Sequence, residues 1–283
     1  MYPNFFALFN KAGVACAADA DHTIFRLSKK LPVAVAINPA SRIPWEEILH
    51  NYQQAGLPQE RLTMADYAED FNSFLATVPV KNGWEKLPSD ELNLIFLGFG
   101  SQDIFPSSYD VFAEVNDGAL CLDEGQSAVI GEGGDVFFTH LGNFDSVSAL
   151  IYGATPQMQS SFYEKNLELF RTYADRVRDR FKGTEYEDYV NSHLEKDMVE
   201  RVFSSVLRRE TRRAFSAFEM GVDSFSIEDM VTSVETLVQS NAELVNLRTG
   251  KPGAAEVKEI AVLTIPEGLT WIKHSLFFRR NEI

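Results

Sequence analysis

The side chains that could perform chemistry in this chain are few, and their spacing matches no common catalytic pattern. Cys16 is a possible nucleophile, but a cysteine reacts as its thiolate, which requires a nearby cation or a helix N-terminus. It stands in the middle of an apolar, strand-like segment with no cation beside it, and Cys121 lies in a similar segment. We therefore predict two buried free thiols in a reducing compartment, and we do not expect Cys16 to be catalytic.

Metal and phosphate sites are also not indicated by the residue spacing. The five histidines form no His-x-His or His-x-x-x-His pair and do not pair with cysteine: they are His22, His50, His140, His193 and His274. A glycine-rich stretch at 131–134 lacks the lysine and the strand–helix context of a phosphate loop, so we predict a turn there. The sequence thus predicts no metal and no cofactor.

One basic cluster stands out in an acidic chain, and it consists of Arg208, Arg209, Arg212 and Arg213. Its helical spacing suggests a surface that docks onto an acidic partner, either an unknown protein or another copy of this chain. The alternative is a solvated helix face that is partly neutralised by Glu200 and Glu210. RNA binding is disfavoured because no aromatic side chain is interleaved with the arginines.

Composition narrows the class of protein. The chain has 283 residues, a net charge of -15 and an isoelectric point near 4.8. Such a charge repels phosphate backbones, so we expect no nucleic-acid partner. No apolar run approaches the roughly 20 residues needed to span a bilayer. The first residues, MYPNFF, have neither the basic start nor the apolar core of a signal peptide. We therefore predict a soluble, cytoplasmic protein without a membrane partner.

The first 40 residues must position any site near Cys16, and they read as two successive β-hairpins. The predicted strands are Phe5–Phe9, Val14–Asp19, Ile24–Leu27 and Val33–Ile37. Small residues on these strands allow another layer to approach closely, so we expect the first hairpin to be buried on both faces.

The rest of the chain alternates between runs of helices and runs of strands. Helices are predicted after Pro44, from Thr63, across 156–218, and after Ser226, which with Asp229 resembles a capping box. Further strands are predicted at 92–99, 107–115, 119–122, 127–130, 259–265 and 269–273. This order indicates an α+β protein with two sheets between helical layers.

Several stretches together resemble proteasome-type β subunits, and more closely a group of uncharacterised bacterial proteins with that fold. They are GVACAADA, IFRLSKKLPVAVAI followed by a proline-tryptophan pair, IFLGFGSQDIFPSSYDVFAEV, SIEDMV and IAVLTIPEGLTWIKH. The resemblance covers most of the chain except an enlarged helical segment around 157–220. It implies one N-terminal nucleophile hydrolase domain over 1–283, folded as a four-layer αββα sandwich.

In active members of that class, the first residue of the processed chain is a Thr, Ser or Cys whose own α-amine serves as the base. A lysine lowers the pKa of the nucleophile, and a buried aspartate orients the lysine. On this chain the aspartate corresponds to Asp19, the serine after it to Ala20, the lysine to Thr23 and the nucleophile to about Pro3. Only the aspartate is retained, although a buried aspartate that caps backbone amides would look the same in sequence.

Processing to expose another nucleophile is not expected either. No Thr, Ser or Cys precedes Cys16, and cleavage before Cys16 or Thr23 would delete the first strand. We therefore expect an inactive protein with a structural or binding role as a homo-oligomer. Two alternatives stay open. The first is an amide-bond hydrolase or peptidase with a non-standard nucleophile, and the second is a small-ligand binder in the vestigial cleft near Asp19 and Thr23.

Overall fold

A computed structural model of the chain has mixed α and β structure with antiparallel sheets. It describes residues 4–28, 31–39, 41–55, 63–81, 83–87, 92–116, 118–129, 137–142, 145–152, 156–194, 201, 205, 221–250 and 256–274. The chain divides into two compact units, Met1–Phe144 with Glu219–Ile283, and Asp145–Phe218. A single domain over 1–283 stays a prediction.

The first unit contains eleven described strands in two sheets. They are β1 Phe5–Asn10, β2 Gly13–Ala18, β3 Ile24–Arg26, β4 Val33–Ile37, β5 Asn93–Gly98, β6 Ser107–Asn116, β7 Ala119–Leu122, β8 Gln126–Val129, β9 Phe137–Leu141, β10 Glu259–Thr264 and β11 Gly268–Lys273. The first sheet has the order β11-β10-β2-β1-β9. The second has the order β3-β4-β5-β6-β7, and β8 also pairs with β6. All of these pairings are antiparallel.

The two predicted N-terminal hairpins are confirmed, and they lie in different sheets. The first hairpin joins β1 to β2 in the first sheet, and the second joins β3 to β4 in the second sheet. Every residue of β1 and β2 is buried, as their small side chains predicted. Gly13 is required at the turn, because a Cβ there would lie 2.5 Å from the carbonyl oxygen of Leu263. The segment 19–23 therefore carries the chain from one sheet to the other.

Helices of the first unit are α1 Trp45–Gln54, α2 Met64–Leu75 and a helix at Ile227–Thr249 that we number α6, with a short 3-10 turn at Trp84–Lys86. The capping box predicted at Ser226 and Asp229 is confirmed. Thr63 and Asp66 form a second capping box at the start of α2. Such caps satisfy backbone N–H groups that have no partner within the helix.

Two apolar clusters form the core of this unit. One combines side chains of the second sheet with α1 and α2, including Trp45, Tyr52, Tyr67, Phe71 and Phe96. The other contains residues of both sheets, including Phe5, Phe9, Cys16, Ala34 and Ile95. Helix α6 contacts β1, β2 and β10 of the first sheet. Burying each large side chain stabilises the fold by about 1.5–3 kcal/mol.

The described residues of the second unit are mostly helical. It contains α3 Asp145–Tyr152, α4 Pro156–Phe181 and α5 Glu187–His193. Gly183 adopts a left-handed φ of 75° shortly after the end of α4. None of the helices described in either unit is long and apolar enough to cross a membrane.

Two elements were missed by the sequence analysis, which assigned no structure to β9 or α3. Strand β9 reads FFTHL, and its threonine and histidine obscure the apolar signal of a strand. It forms because β1 offers it a ladder of backbone hydrogen bonds, a contact between residues more than 120 positions apart. Helix α3 has only eight residues, which is too short for a clear helical period.

Candidate functional site

Asp19 directly follows β2, and its carboxylate binds the residue that precedes β1. Its Oδ1 accepts a hydrogen bond from the Asn4 backbone N–H at 2.7 Å, and its Oδ2 accepts one from Asn4 Nδ2 at 2.7 Å. The Asp19 backbone N–H donates in return to the Asn4 carbonyl at 3.1 Å. Burial raises the pKa of Asp19, and the Asn4 donors oppose that rise. The two oxygens thus connect the end of β2 to the start of β1 through hydrogen bonds. This arrangement is expected of an aspartate that caps amides.

Ala20 and Thr23 lie in the segment that crosses between the sheets. The Thr23 side chain is buried, and its hydroxyl donates to the Ala20 carbonyl at 3.1 Å. His22 between them adopts a left-handed φ of 60°. Thr23, which occupies the position that the resemblance gives to a lysine, therefore supplies a neutral hydroxyl already bonded to the backbone. It offers no positive charge that Asp19 could orient.

Glu259 is the principal residue that the sequence analysis missed, since it was predicted only as the first residue of a strand. Its side chain is completely buried at the start of β10. Oε1 accepts from the His22 N–H at 2.9 Å, while Oε2 accepts from the N–H groups of Thr23 at 3.1 Å and Ile24 at 2.9 Å. A charged residue next to the apolar run IAVL was the available signal, because a buried carboxylate requires hydrogen-bond donors.

The environment of Glu259 has two opposing effects on the pKa of its carboxyl group. Burial raises the pKa of its carboxyl group, while the three backbone N–H groups and His274 act to lower it. His274 Nδ1 lies 3.3 Å from Oε1 of Glu259. Because β10 belongs to the first sheet and Ile24 begins β3 of the second, this carboxylate ties the two sheets together at the segment 22–24.

Cys16 has no catalytic environment. It is completely buried, and its thiol donates to the Ala261 carbonyl at 3.5 Å. Burial, with a smaller contribution from the charge of Glu259, raises the pKa of this thiol, so no thiolate is available at neutral pH. The prediction of a buried free thiol is confirmed for Cys16. Cys121 is also a free thiol but is only half-buried, because it lies on β7 at the end of the sheet order.

A cavity of about 690 Å³ adjoins the crossing segment, beside α1. Asp21 and His22 line it, whereas Asp19, Ala20 and Thr23 do not. The rest of its lining comes from β3, β4, the following loop and α1: Phe25, Ile37, Asn38, Pro39, Ser41, Ile43, Pro44, Trp45, Glu46, Glu47, His50 and Gln53. None of these described lining residues is a lysine or an arginine. His22 Nδ1 lies 3.8 Å from Oε2 of Glu46 across this site.

The other sequence candidates are not brought together at this site. Pro3, Arg208, Arg209, Arg212 and Arg213 lie outside the described residues. Within the described part of the chain, no three His, Cys, Asp or Glu side chains are grouped so that they could hold a metal ion. His140 is on β9, where burial lowers the pKa of its imidazole to about 4. It is therefore a neutral side chain of the first sheet at physiological pH.

Neither a protein-family model nor a curated protein sequence matches this chain. Among the solved structures that resemble it is the selenomethionine-labelled Gly-1 mutant of Anbu from Hyphomicrobium sp. strain MC1. The match has 12% identity and a TM-score of 0.31, and it covers 78% of this chain and 99% of that chain. A similarity this low carries no conclusion about the fold or activity of this chain.

Proposed function

We propose that this chain is a non-catalytic protein of the proteasome-like, N-terminal nucleophile hydrolase class, with a structural or binding role as a homo-oligomer. The corresponding architecture is a four-layer αββα sandwich. In it, α1 and α2 cover the second sheet, the two sheets face each other, and α6 covers the first sheet. The two apolar clusters and the contacts of α6 with β1, β2 and β10 support this layering.

One observation carries the proposal of inactivity: both Asp19 oxygens are bonded to Asn4. In the active class the corresponding aspartate must bind and orient a lysine that activates the nucleophile. Here the lysine position is Thr23, whose hydroxyl is bonded to the backbone, and the neighbouring carboxylate of Glu259 is saturated with amides. Both carboxylates therefore accept backbone or side-chain amide hydrogen bonds, and neither is available as a general base or to orient an activating group.

Hydrolysis assays on the parent and on Asp19→Ala test this proposal. With a broad panel of amide, ester and peptide substrates, neither protein should hydrolyse substrate above the uncatalysed rate. Asp19→Ala should instead lower the free energy of unfolding by about 1–3 kcal/mol, because it leaves buried donors of Asn4 unpaired. Hydrolysis by the parent that is lost in Asp19→Ala, with the fold intact, would establish the alternative of a non-standard hydrolase. Light scattering at micromolar concentration tests the homo-oligomer, which a monomer would contradict.

A second candidate function is the binding of a small organic cation in the cavity beside α1. Three carboxylates line this cavity, those of Asp21, Glu46 and Glu47, and its described lining has no basic residue other than histidine. Aromatic and aliphatic side chains such as Phe25, Ile37 and Trp45 form the rest of its wall. A volume of about 690 Å³ is within the range of small-molecule sites. A ligand with an apolar body and a protonated amine matches both features.

Calorimetry with phenethylamine and with its neutral analogue 2-phenylethanol tests this candidate. The amine should bind and the alcohol should bind much more weakly, because the carboxylates favour the positive charge. Glu46→Gln and Asp21→Asn should each weaken amine binding by about tenfold. Glu69→Gln, an exposed position on α2 away from the cavity, is the matched control and should change nothing. Equal binding of amine and alcohol would exclude charge recognition.

A further inference from the structure

Helix α4 has an apolar exposed face, whereas an exposed helix face is usually polar. Four large side chains form this α4 stripe: Met158, Phe162, Leu169 and Tyr173. Their exposed fractions are 59%, 59%, 66% and 64%. At 3.6 residues per turn they lie within about 60° of one another around the helix axis. Leu167 and Ala174 on the opposite face are buried, so α4 is apolar on two sides.

The α4 stripe is long enough to be an interface. From Met158 to Tyr173 it extends about 22 Å along the helix, which is four turns. Scattered single apolar residues on a surface need no explanation, but two exposed apolar pairs on one helix face, on either side of Lys165, are typical of a site that binds another protein. Apolar side chains paired on successive turns, as at 158 and 162 and again at 169 and 173, are also the pattern by which one helix packs against another.

The charge on α4 favours a second copy of the same helix as the occupant. The whole chain has a net charge of -15, which on average repels another copy. Helix α4 differs, because its 26 residues contain five basic and four acidic side chains. Two copies can therefore approach along this helix without the repulsion that the rest of the chain would impose.

We propose that two copies of this chain associate through their α4 stripes, packed antiparallel about a two-fold axis. In this register Phe162 of one copy contacts Leu169 of the other, and Met158 meets Tyr173, so each apolar residue has an apolar partner. A two-fold interface requires such self-complementarity, since the same patch must serve on both sides. This inference rests on the proposed role as a homo-oligomer and names the surface that forms it.

Two charged residues make the antiparallel register specific. Lys165 and Glu168 lie on the same flank of the α4 stripe, and the part of the chain that the structure describes contains no ion pair for either. With the two-fold axis passing between positions 165 and 166, Lys165 of one copy lies within one turn of Glu168 of the second copy. The symmetry repeats this pair, so two ion pairs flank the apolar contacts. Parallel packing would not bring Lys165 and Glu168 of different copies together.

Sedimentation equilibrium of the full chain at several concentrations tests this interface. The parent should dimerise, and Leu169→Glu should raise the dissociation constant by about 30-fold or more, because it places a charge among apolar side chains. Glu168→Lys and Lys165→Glu should each raise it by about tenfold. The double variant, which exchanges the two charges, should restore the parent value. Glu69→Lys, a reversal of an exposed charge on α2 and outside α4, is the control and should have no effect.

Each possible result has a defined meaning. Association that persists unchanged in Leu169→Glu, or single reversals that the double variant does not repair, would overturn the α4 interface while leaving the homo-oligomer intact. A parent that is monomeric at all concentrations would overturn both. Circular dichroism and urea unfolding of every variant exclude misfolding as a cause. The reversals at Lys165 and Glu168 replace exposed side chains and should leave folding unchanged.

Discussion

The carboxylate of Glu259 accepts a hydrogen bond from the backbone N–H of Thr23 at 3.1 Å, and it also binds the amides on either side. Glu259 begins a strand of the first sheet, and Thr23 immediately precedes a strand of the second. A position at which the resemblance implies a catalytic lysine is thus used to hold two sheets together. Asp19 makes a similar contact within the first sheet, where its carboxylate joins the end of β2 to Asn4 before β1.

Glu259→Ala should destabilise the protein strongly. The substitution removes the acceptor for three backbone N–H groups. Two of these groups, on Thr23 and Ile24, are buried. An unsatisfied buried donor costs about 1–3 kcal/mol, so the free energy of unfolding should fall by about 3 kcal/mol or more. Urea denaturation measures this change. Glu259→Gln, which keeps one acceptor oxygen, should lie between the parent and the alanine variant.

Glu256→Ala is the control for that experiment. Glu256 is exposed and forms ion pairs with Lys258 at 2.8 Å and Lys273 at 3.7 Å. Exposed ion pairs contribute little, so its loss should change stability by less than about 1 kcal/mol. If Glu259→Ala were as mild as Glu256→Ala, the cross-sheet role of Glu259 would be wrong.

Asp110 should make stability fall as pH rises through the acidic range. Its Oδ2 accepts from Thr139 Oγ1 at 2.9 Å, a bond from the second sheet to β9 of the first. Burial raises the pKa of Asp110, and the hydroxyls of Thr139 and Ser108 oppose that rise. A raised pKa means that the native state holds the proton more tightly than the unfolded state. The stabilisation from protonated Asp110 is therefore complete below the pKa that this residue has in the unfolded chain. It is lost as the pH rises through the pKa of Asp110 in the folded protein.

Asp110→Asn tests this dependence of stability on pH, because the asparagine side chain has the shape of aspartate but cannot ionise. The unfolding free energy of the variant minus that of the parent should increase between about pH 4 and about pH 8. At neutral pH the variant should be as stable as the parent or up to about 1 kcal/mol more stable. Asp123→Asn, in an exposed position, should keep the slope of the parent. An unchanged slope in Asp110→Asn would contradict the prediction.

His140 should remain neutral well below physiological pH. Burial lowers the pKa of its imidazole from 6.5 to about 4. The unfolded chain then takes up a proton at higher pH than the native protein, so stability is lost as pH falls from about 6.5 towards about 4, by up to about 3 kcal/mol. Nuclear magnetic resonance titration should show a His140 signal that does not shift above about pH 5. A midpoint near the ordinary histidine value would show that the ring is solvated.

The two thiols should differ sharply in reactivity. Cys16 is completely buried with a raised pKa, whereas Cys121 is half-buried, and both are free. A thiol-specific reagent should modify Cys121 in the native protein, and Cys16 should react only when urea unfolds the chain. The Cys121→Ser variant should show no native labelling. Rapid native labelling of Cys16 in that variant would reopen the possibility of a cysteine nucleophile.

Local sequence determined much of the secondary structure for identifiable reasons. The small residues of β2 and the capping boxes at Thr63 and Ser226 act within a few positions of themselves. Most strands and helices were therefore predicted to within one or two residues. The exceptions, β9 and α3, are elements whose own residues give a weak pattern, and β9 also depends on its pairing with β1, more than 120 positions away.

The amino-acid sequence by itself determined that the serine and lysine implied by the resemblance are absent, because Ala20 and Thr23 are visible in the chain without any coordinates. Only the tertiary structure decided what Asp19 and Glu259 bind. Whether Asp19 orients a lysine or caps an amide depends on which donor lies 2.7 Å from its oxygens, and that donor, Asn4, is fifteen residues away. Glu259 is more than 230 residues from the amides it binds. Hydrogen bonds over such separations are set by how the sheets pack, which no local pattern encodes.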